Sequence, residues 1–448
     1  MRALLVWPPS PGSPVLGWAD LGAVAEPLAL EYVGAVLRRR GWEVRLLDLR
    51  LHPGGLEAAL RAFEPDLVAV TAYSMHVHAA LKVCRAARAR RSCCRTVVGG
   101  HHARFLPEDF FDPAVDFIVQ GEATEPLAAI AEALEQGAMP EPAPGLWCRS
   151  ADGRYRSGGA PPAVTPAALD AMPFPDRSLT RGDRHRYFID WMKPVALLRT
   201  SIGCPYRCSF CSIWRAMEGR YHYREPDAVV DELRQIEEPW VFLVDDEAFI
   251  NRRRMLMLAE AIARAGIRRK FFTYCRIDTL LRNREAIAAW KEIGLERLFI
   301  GIDGVTEGEL ARYNKGCDIP SIEEGLALAR ALGIEVFAQF VIDPLATERD
   351  FRRLEQFIEH HRIRYPSFTV LTPLPGTPLL ENFDAVTMKR PDGRPDWDLF
   401  DCQQAVTATA MPRERFQRRF RQLYETFKGA YLQHREGELL FMRELRTA

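Results

Sequence analysis

The sequence contains 448 residues, 48% of them hydrophobic, and its 60 Lys and Arg residues balance 60 Asp and Glu residues. A chain of this length predicts two or three domains, and its zero formal net charge argues against a general nucleic-acid binder, which carries a basic surplus. No stretch approaches the roughly 18 uninterrupted apolar residues of a membrane span, and the apolar start is too short for a signal peptide. We therefore expect a cytoplasmic protein that does not bind nucleic acid.

Residues 1–137 alternate short apolar runs with amphipathic stretches, which predicts a doubly wound, Rossmann-like α/β domain. The predicted strands cover residues 3–7, 43–49, 66–73, 96–100 and 115–121, and helical patterns lie between them at 28–41, 56–63 and 78–91. Ligands of such sheets bind beyond the carboxyl ends of the strands. The first predicted strand is followed by WPPSPG rather than by the GxGxxG of dinucleotide-binding folds, so we do not expect a dinucleotide there.

Residues 138–194 are rich in Pro and Gly and predict a connector with a small hairpin at DGRYRSGG. Strand and helix patterns then alternate again through residues 195–385, which predicts a partial (β/α)6 barrel of the TIM type. Its predicted strands are 195–203, 240–249, 270–278, 297–304, 335–343 and 367–376. Residues 386–448 predict a mostly helical extension with a charged helix at 413–445.

Three cysteines, Cys204, Cys208 and Cys211, lie within eight residues directly after the first predicted barrel strand. Buried core thiols would not need this spacing in a turn marked by Gly and Pro. A structural zinc site needs a fourth ligand, and the two His-His pairs of the chain lie in other elements. An iron–sulfur cluster suits thiolates, and three of them would leave one iron of a cubane open to a small molecule. The remaining seven cysteines are scattered and do not suggest a disulfide framework.

The CxxxCxxC loop, with the aromatic Phe210 before its last cysteine, resembles that of the radical S-adenosylmethionine (SAM) superfamily. The resemblance implies a [4Fe–4S] cluster whose open iron binds the amino and carboxylate groups of SAM. An electron from the cluster would then cleave a C–S bond and release a 5′-deoxyadenosyl radical. Four further segments resemble recurring barrel segments of this superfamily: 242–249, 275–283, 299–316 and 372–381.

On this resemblance, several residues near the ends of the barrel strands are candidates to contact SAM. Asp303 stands where relatives usually carry Glu, and Asp343 where they tend to carry Gly. Cys275 alternates with its neighbours along the third strand, and it is either a core thiol or a donor that lines the site. The proposed cofactor-binding residues of this domain are Phe210, Asp245, Arg276, Asp303 and Gln339.

Segments 97–111 and 116–127 of the first domain resemble cobalamin-binding domains that precede many radical enzymes. Their glycines lack a Cβ atom and would let the backbone approach the nucleotide tail of the cofactor. The base-off signature DxHxxG is not intact, because Arg50 follows Asp48 at the His position, so we expect cobalt without a lower imidazole ligand. The candidate cobalamin contacts are Arg50, Ser74, Gly99, Gly100, Gly121 and Glu122.

Over most of its length the chain is similar to the hopanoid C-3 methylase group and to related cobalamin-dependent methyltransferases of polycyclic or tetrapyrrole substrates. The similar segments are 183–189, 242–250, 280–295 and 399–406. The resemblance implies a radical C-methyltransferase: the 5′-deoxyadenosyl radical removes a hydrogen from an unactivated carbon, which then takes a methyl group from methylcobalamin. It also implies a small hydrophobic substrate and an electron donor such as flavodoxin or ferredoxin.

Three alternatives remain. The same cofactors could serve a ring-forming or oxidative step without methyl transfer. A tRNA methylthiotransferase would need three more suitably spaced cysteines, and a non-enzymatic cobalamin-binding regulator would have no use for the cysteine loop. The C-terminal stretch interleaves basic and aromatic residues, which is typical of a packed amphipathic helix and also of a helix in peripheral contact with a membrane.

Overall fold

A computed structural model describes residues 1–11, 23–381 and 383–433 of the chain. These residues form two compact units. The first contains the described residues up to Tyr187 together with Asp396–Asp401, and the second contains Phe188–Pro395 and the described residues from Cys402 onwards.

The first unit alternates strands and helices as predicted. Its strands are β1 (Arg2–Trp7), β2 (Ala23–Val24), β3 (Glu43–Asp48), β4 (Leu67–Thr71), β5 (Arg95–Gly99), β6 (Phe117–Val119), β7 (Leu146–Arg149) and β8 (Tyr155–Ser157). Its helices are α1 (Leu28–Arg39), α2 (Leu56–Phe63), α3 (Val77–Arg90), α4 (His101–Phe105), α5 (Thr124–Glu135) and α6 (Pro166–Ala171).

A seven-stranded sheet in the order β3-β1-β4-β5-β6-β7-β8 forms the centre of this unit. Its first five strands run parallel, whereas β7 and β8 form an antiparallel hairpin that extends the sheet from β6. Apolar side chains of α1 and α5, such as Leu37 and Ile130, pack on sheet residues such as Leu5 and Phe117. The strand order reverses between β1 and β4, where sheets of this kind hold their ligands.

The predicted hairpin is therefore present, and it is part of the first sheet. The first unit also continues to Tyr187, so it includes most of the segment that its composition marks as a connector. Arg186 donates a hydrogen bond to the carbonyl of Leu51 over 3.0 Å, and His52 contacts Asp183 over 2.7 Å. These bonds fasten the end of the segment to the region after β3.

The second unit also alternates strands and helices. Its strands are β9 (Phe188–Ile189), β10 (Val195–Leu198), β11 (Ser201–Ile202), β12 (His222–Tyr223), β13 (Trp240–Leu243), β14 (Lys270–Cys275), β15 (Leu295–Asp303), β16 (Glu335–Ile342) and β17 (Tyr365–Val370). Its helices are α7 (Ile213–Ala216), α8 (Pro226–Leu233), α9 (Arg252–Arg264), α10 (Ile277–Arg282), α11 (Arg284–Glu292), α12 (Glu307–Arg312), α13 (Ile319–Ala331), α14 (Glu348–His360) and α15 (Arg413–Gln433).

Six parallel strands, β10 and β13 to β17, pair in sequential order, as a partial (β/α)6 barrel requires. One face of this sheet carries aromatic rings in contact from strand to strand: Phe242 with Tyr274, Tyr274 with Phe299, and Phe299 with Phe337. The opposite face carries fully buried aliphatic residues such as Leu298 and Ile300. The two faces therefore differ, and the aromatic one is the inner face of the barrel.

The inner face ends in a buried arginine near the amino ends of the strands. Arg297 is 1% exposed, and its guanidinium lies 3.7 Å from the ring centre of Trp191 and 4.4 Å from that of Tyr365. Asp190 lies 3.6 Å from the same guanidinium. This aromatic enclosure fills the bottom of the barrel, so space for a substrate is left towards the carboxyl ends of the strands.

Helix α15 covers the edge strand β17. The Tyr424 hydroxyl accepts a hydrogen bond from the Phe368 amide over 3.2 Å and donates one to the carbonyl of the same residue. On the same helix, Arg415 and Arg419 pair with Glu348 of α14 over 2.9 and 3.1 Å. These contacts are those of a packed amphipathic helix, and the predicted helical residues 434–445 lie outside the described part of the chain.

Before α15, residues 386–412 contain only a short 3-10 turn at Trp397–Leu399, where a mostly helical extension was predicted. Part of this segment, Asp396–Asp401, joins the first unit. The ring of Trp397 is 2% exposed and meets the edge of His102 at 4.7 Å. No helix among the described residues is long and apolar enough to cross a membrane.

Candidate functional site

The cysteine loop begins at a glycine that no other residue could replace without strain. Gly203 follows β11 with φ of +91°, and a Cβ atom on it would lie 2.1 Å from the carbonyl oxygen of Arg220. Its amide donates to the Asp246 carboxylate over 2.7 Å. The entrance of the loop is thus held between the end of β13 and the segment that precedes β12.

The three thiols of the loop are at least half-buried and suit a metal cluster rather than a single ion. Burial raises the pKa of Cys204 to about 12 and that of Cys211 to about 11, so neither forms a thiolate at neutral pH without a compensating metal charge. A structural zinc site needs four protein ligands, whereas three thiolates can hold three irons of an iron–sulfur cluster.

Asp245 fixes the backbone that leads into the cysteine loop. It is fully buried and accepts hydrogen bonds from the amides of Thr200 and Ser201 over 2.7 and 2.8 Å. The buried Arg254 donates to the Thr200 hydroxyl over 2.8 Å and balances the charge of this carboxylate. Asp245, proposed from the sequence as a cofactor contact, therefore accepts its described hydrogen bonds from Thr200 and Ser201, which precede the loop.

Arg276 reaches the loop from the end of β14. Its guanidinium donates a hydrogen bond to the Cys208 sulfur over 3.4 Å and lies 3.7 Å from the ring centre of Tyr206. Asp278 accepts from the same guanidinium over 2.9 Å. The residue proposed from the sequence to contact SAM thus directly contacts a cysteine of the loop.

A second loop, residues 312–316 after α12, encloses the cysteine loop. The Ser209 amide donates to the carbonyl of Tyr313 over 2.9 Å, and the Asn314 side chain donates to the carbonyl of Arg207 over 2.8 Å. Phe210 packs its ring edge-on against Tyr313 with 5.7 Å between ring centres. Phe210, a predicted site residue, therefore positions the cysteine loop by packing.

Two further predicted residues lie on neighbouring strands, Asp303 as the last residue of β15 and Gln339 within β16. Asp303 adopts a left-handed backbone with φ of +66° and pairs with Lys315, and both side chains are 5% exposed. The Gln339 amide donates over 3.0 Å to the Thr369 hydroxyl on the next strand. Asp303 pairs with Lys315, and the preceding residue, Asn314, contacts the cysteine loop, so Asp303 is linked to that loop through residues 314 and 315.

Glu247, which the sequence analysis did not single out, is 2% exposed at the end of β13. One carboxylate oxygen accepts from the amide of Arg276 over 2.7 Å, and the other has no hydrogen-bond partner among the described residues. Burial raises its pKa to about 7. A buried carboxylate oxygen without a partner is costly, and it fits a site that receives a cationic ligand group. The indication in the sequence was that Glu247 directly follows Asp245 and Asp246 near the end of a predicted strand.

Cys275 lies on the face of β14 opposite to the aromatic rings that line the inner face of the barrel. It pairs in register with Ile300, whereas Tyr274 pairs with Phe299. The thiol is 3% exposed and donates to the carbonyl of Arg276 over 3.3 Å, and burial holds its pKa well above the usual value. Of the two roles considered for Cys275, the core thiol is the one that this position favours.

The carboxyl edge of the first sheet gathers the predicted cobalamin residues. Arg50 follows β3 and is held by Asp48, with one hydrogen bond of 2.9 Å and a second of 2.6 Å, while its guanidinium lies 4.4 Å from the ring centre of Trp7. The indole N–H of Trp7 is buried without a partner among the described residues. This edge thus presents a fixed cation, an aromatic ring and an unused donor.

The glycines of this edge have unequal roles. Gly100 has φ of +103°, and a Cβ atom on it would lie 2.7 Å from the Ala72 amide nitrogen, whereas one on Gly99 would find 3.7 Å to its nearest neighbour. Gly121 has φ of +94°, and the neighbouring Glu122 accepts from the Ala123 amide over 3.1 Å. Gly100 is required by the fold itself, whereas a Cβ atom on Gly99 would make only an ordinary contact with Val119.

Ser74 is tied into a buried relay. Its hydroxyl lies 3.0 Å from His102 Nδ1, and His102 Nε2 lies 2.9 Å from an Asp109 oxygen. Ser74 is 4% exposed and His102 fully buried. The relay therefore fixes the turn after β4.

Aromatic side chains at the same edge were missed by the sequence analysis. Tyr73 is 49% exposed and lies 6.2 Å between ring centres from both Trp7 and His101. Burial lowers the pKa of His76 and of His101 to about 4, so both imidazoles are neutral at pH 7. An exposed aromatic surface beside glycines and neutral imidazoles fits a large, flat ligand such as a corrin.

Comparison with known proteins agrees with both sites. Residues 15–131 match the family model of the B12 binding domain, and residues 198–358 match that of the radical SAM superfamily. Hopanoid C-3 methylase of Methylococcus capsulatus is 33% identical over 416 residues, which cover 91% of this chain and 77% of that protein.

Two more distant proteins are also informative. The anaerobic magnesium-protoporphyrin IX monomethyl ester cyclase of Cereibacter sphaeroides is 25% identical, and the match covers 82% of this chain and 61% of that one. The methyltransferase TsrM of Kitasatospora setae, solved with cobalamin and a [4Fe–4S] cluster, has the same fold. Its TM-score is 0.69 at 20% identity, over 89% of this chain and 84% of its own.

These findings confirm the predicted fold class and the predicted cofactor set of [4Fe–4S] cluster, SAM and cobalamin. They also confirm the predicted enzyme class, a radical SAM methyltransferase. The chain belongs to the family of radical SAM enzymes with an N-terminal B12-binding domain, to which hopanoid C-3 methylase also belongs.

Proposed function

We propose that this enzyme methylates an unactivated carbon of a small hydrophobic, polycyclic molecule, a polycyclic lipid or a tetrapyrrole. The observation that carries the reaction type is the cysteine loop, whose three thiols within eight residues would leave one iron of a cubane without a protein ligand. When bound, the cluster supplies one electron and the cobalamin supplies a methyl carrier.

In this proposal Cys204, Cys208 and Cys211 hold the cluster. The unpartnered oxygen of Glu247 accepts from an ammonium group of SAM, and Asp303 and Gln339 on the neighbouring strands contribute polar contacts to the same cofactor. All three residues lie in or beyond the carboxyl-terminal halves of parallel strands of one barrel, and the carboxyl ends of such strands are where barrel enzymes place their reacting groups. The protein's part is to orient these groups and to exclude water.

Cobalamin is assigned to the carboxyl edge of the first sheet. Arg50 occupies the sequence position of the lower-ligand histidine and is fixed by Asp48 and Trp7, so an arginine replaces the imidazole at that position. Gly99 presents no side chain to the nucleotide tail, and the exposed ring of Tyr73 supplies an apolar contact for the corrin. Gly100, Gly121, Ser74 and Glu122 shape the same edge.

The substrate class follows from the inner face of the barrel. Four strands present a continuous ladder of aromatic rings: Phe242, Tyr274, Phe299 and Phe337. Such a surface favours flat or polycyclic apolar molecules over charged ones. The names of the two relatives, a hopanoid methylase and a protoporphyrin ester cyclase, indicate molecules of the same kind.

The alternative, a ring-forming or oxidative reaction with the same cofactors, has the cyclase as its support. Its identity of 25% is lower than the 33% of the methylase, and it shares a smaller part of its own length. We therefore keep methyl transfer as the proposed outcome. An electron donor of the flavodoxin or ferredoxin class, a cytoplasmic location and a peripheral contact with membranes that hold a lipid substrate complete the proposal.

The test is an anaerobic assay of the reconstituted full chain with cobalamin and SAM labelled in its methyl group. Candidate substrates are a pentacyclic hopanoid and a magnesium porphyrin ester. We expect labelled methyl in the organic product, with S-adenosylhomocysteine and 5′-deoxyadenosine formed in equal amounts. Product formation with 5′-deoxyadenosine and no methyl incorporation would instead establish the ring-forming alternative.

A further inference from the structure

The guanidinium of Arg276 donates a hydrogen bond to Cys208, the most deeply buried of the three proposed cluster ligands. Cys208 is 8% exposed, and its sulfur accepts from Arg276 over 3.4 Å. Of the three, only Cys208 receives a hydrogen bond from a charged side chain among the residues that the structure describes.

The position of this guanidinium is determined on every side. Asp278 accepts from Nε over 2.9 Å, the carbonyl of Lys315 accepts from the second terminal nitrogen, and the ring of Tyr206 lies 3.7 Å away. The side chain is 8% exposed. Arg276 can therefore not leave the sulfur without breaking several buried contacts, and its charge is poorly screened by solvent.

A charged N–H···S bond has a defined effect on an iron–sulfur cluster. Reduction adds one negative charge, which spreads onto the ligating sulfurs, and hydrogen bonds to these sulfurs together with nearby positive charge stabilise the reduced state. The Asp278 carboxylate lies on the far side of the guanidinium and orients it without contacting the sulfur. The reduction potential of the cluster should accordingly depend on Arg276.

We propose that Arg276 is a positioning residue that raises the reduction potential of the cluster through its hydrogen bond to Cys208. This inference rests on the proposed function only in that a [4Fe–4S] cluster is bound by the cysteine loop. One electron from a donor of the flavodoxin or ferredoxin class reduces the cluster, and Arg276 makes that transfer less unfavourable. The cysteine loop and loop 312–316 meet at this side chain, so the potential also depends on their packing.

The experiment compares midpoint potentials of the reconstituted full chain, followed by electron paramagnetic resonance during anaerobic redox titration without SAM. Arg276→Gln removes the charge and shortens the donor. We expect the midpoint potential of this variant to fall by about 59 mV or more. For one electron, that fall corresponds to a tenfold change in the equilibrium constant of cluster reduction. Arg276→Lys keeps the charge but loses the planar fork, and a smaller fall is expected.

Arg282→Gln is the matched control. Arg282 is exposed and donates to the Tyr206 hydroxyl over 3.0 Å, so the variant removes an equal charge close by without touching a sulfur. It should keep the wild-type potential. A potential of Arg276→Gln equal to that of Arg282→Gln, with full iron content in both, would overturn the inference.

Two outcomes separate this inference from the proposed function. If Arg276→Gln loses its cluster, Arg276→Lys decides: an unchanged potential in that variant overturns the inference, and a lowered one supports it. If the wild-type chain binds no cluster at all, the proposed function itself fails, whereas a wild-type cluster with an unchanged potential in the Arg276 variants overturns only this inference.

Discussion

The carbonyl oxygen of Arg220 lies 2.1 Å from the place where a Cβ atom on Gly203 would stand. The two residues belong to the paired strands β11 and β12 and their flanks, which pair antiparallel between Ser201–Tyr223 and Ile202–His222. The cysteine loop leaves this small ladder at Gly203 with φ of +91°. The direction of the loop, and so the placement of its sulfurs, depends on a residue without a side chain.

Gly203→Ala should therefore displace the loop. We expect a loss on the order of 1–3 kcal/mol from backbone strain, an additional clash with Arg220, and a large fall in iron bound after reconstitution. Gly219→Ala is the control, because Gly219 has φ of +70° but no atom within 4 Å of an added Cβ. It should lose roughly 1–2 kcal/mol and keep its iron. Equal iron content in both variants would contradict the role of Gly203.

Asp245→Asn should destabilise the second unit. The amide keeps one oxygen for the backbone amides of Thr200 and Ser201, but its nitrogen cannot accept from the Thr200 hydroxyl as the second carboxylate oxygen does. It also leaves the buried charge of Arg254 without a balancing anion. Removing one partner of a buried charged group costs roughly 3 to 5 kcal/mol. Denaturant unfolding followed by tryptophan fluorescence measures the change. Asp231→Asn, in an exposed pair with Arg234, should stay within about 0.5 kcal/mol of the wild type.

Cys275→Ala should leave the chemistry intact. The thiol lies opposite the aromatic ladder and is 3% exposed, so its loss should lower the free energy of unfolding by about 1 kcal/mol. Formation of 5′-deoxyadenosine and methyl transfer should stay within about twofold of the wild-type rates. Cleavage of SAM without methyl transfer in this variant would instead place Cys275 in the reaction as a donor.

The stability of the first unit should decrease as the pH rises. Burial, with the neighbouring carboxylate of Glu26, raises the pKa of Glu31 to about 8, against the opposing effects of Arg177, Thr180 and Arg184. Between the unfolded pKa of about 4.3 and 8, the folded state holds a proton that the unfolded state lacks. The free energy of unfolding therefore falls with rising pH across this range.

Denaturant titrations at pH 5.5 and pH 8 measure this dependence, and Glu31→Gln should weaken it. Glu135→Gln is the control, because the hydrogen bond from Arg40 lowers the pKa of Glu135 and its effect appears only at acidic pH. A pH dependence that is the same in Glu31→Gln and in the wild type would contradict the assignment.

The sequence predicts the features that depend on local spacing. Short apolar runs and amphipathic stretches indicate the alternation of strands and helices. The three cysteines lie within one turn-forming loop after a strand. Both units of the fold could therefore be identified from the sequence, and the three cysteines remain the predicted cluster ligands. The glycine at position 203 also has a local signature, because a loop that must turn sharply before its first ligand favours a residue tolerant of positive φ.

Contacts that join distant parts of the chain had no such signature. Ser209 and Tyr313 lie 104 positions apart in the sequence, and their hydrogen bond depends on the register of β15 and on the length of α12. Asp245 was expected at the cofactor, yet its strand end turns it towards the backbone of Thr200. The hairpin at residues 146–157 reads locally as part of a connector, because its pairing with Phe117–Val119 is set by the sheet.

The segment at residues 396–401 illustrates the same limit. It alternates three aspartates with the apolar Trp397, Leu399 and Phe400, and only the tertiary structure reveals that Trp397 is buried against His102 in the first unit. A few apolar residues among aspartates give no indication of which domain will cover them. Long-range packing of this kind follows from the completed fold rather than from local propensity.

The central claim is that Cys204, Cys208 and Cys211 bind a cubane cluster with one iron left for SAM. Electron paramagnetic resonance of the reduced, reconstituted chain with and without SAM tests it most directly. We predict a [4Fe–4S]+ signal that changes when SAM is added and that disappears in Cys208→Ala. A chain that takes up no cluster under anaerobic reconstitution, or a signal indifferent to SAM, would contradict the account.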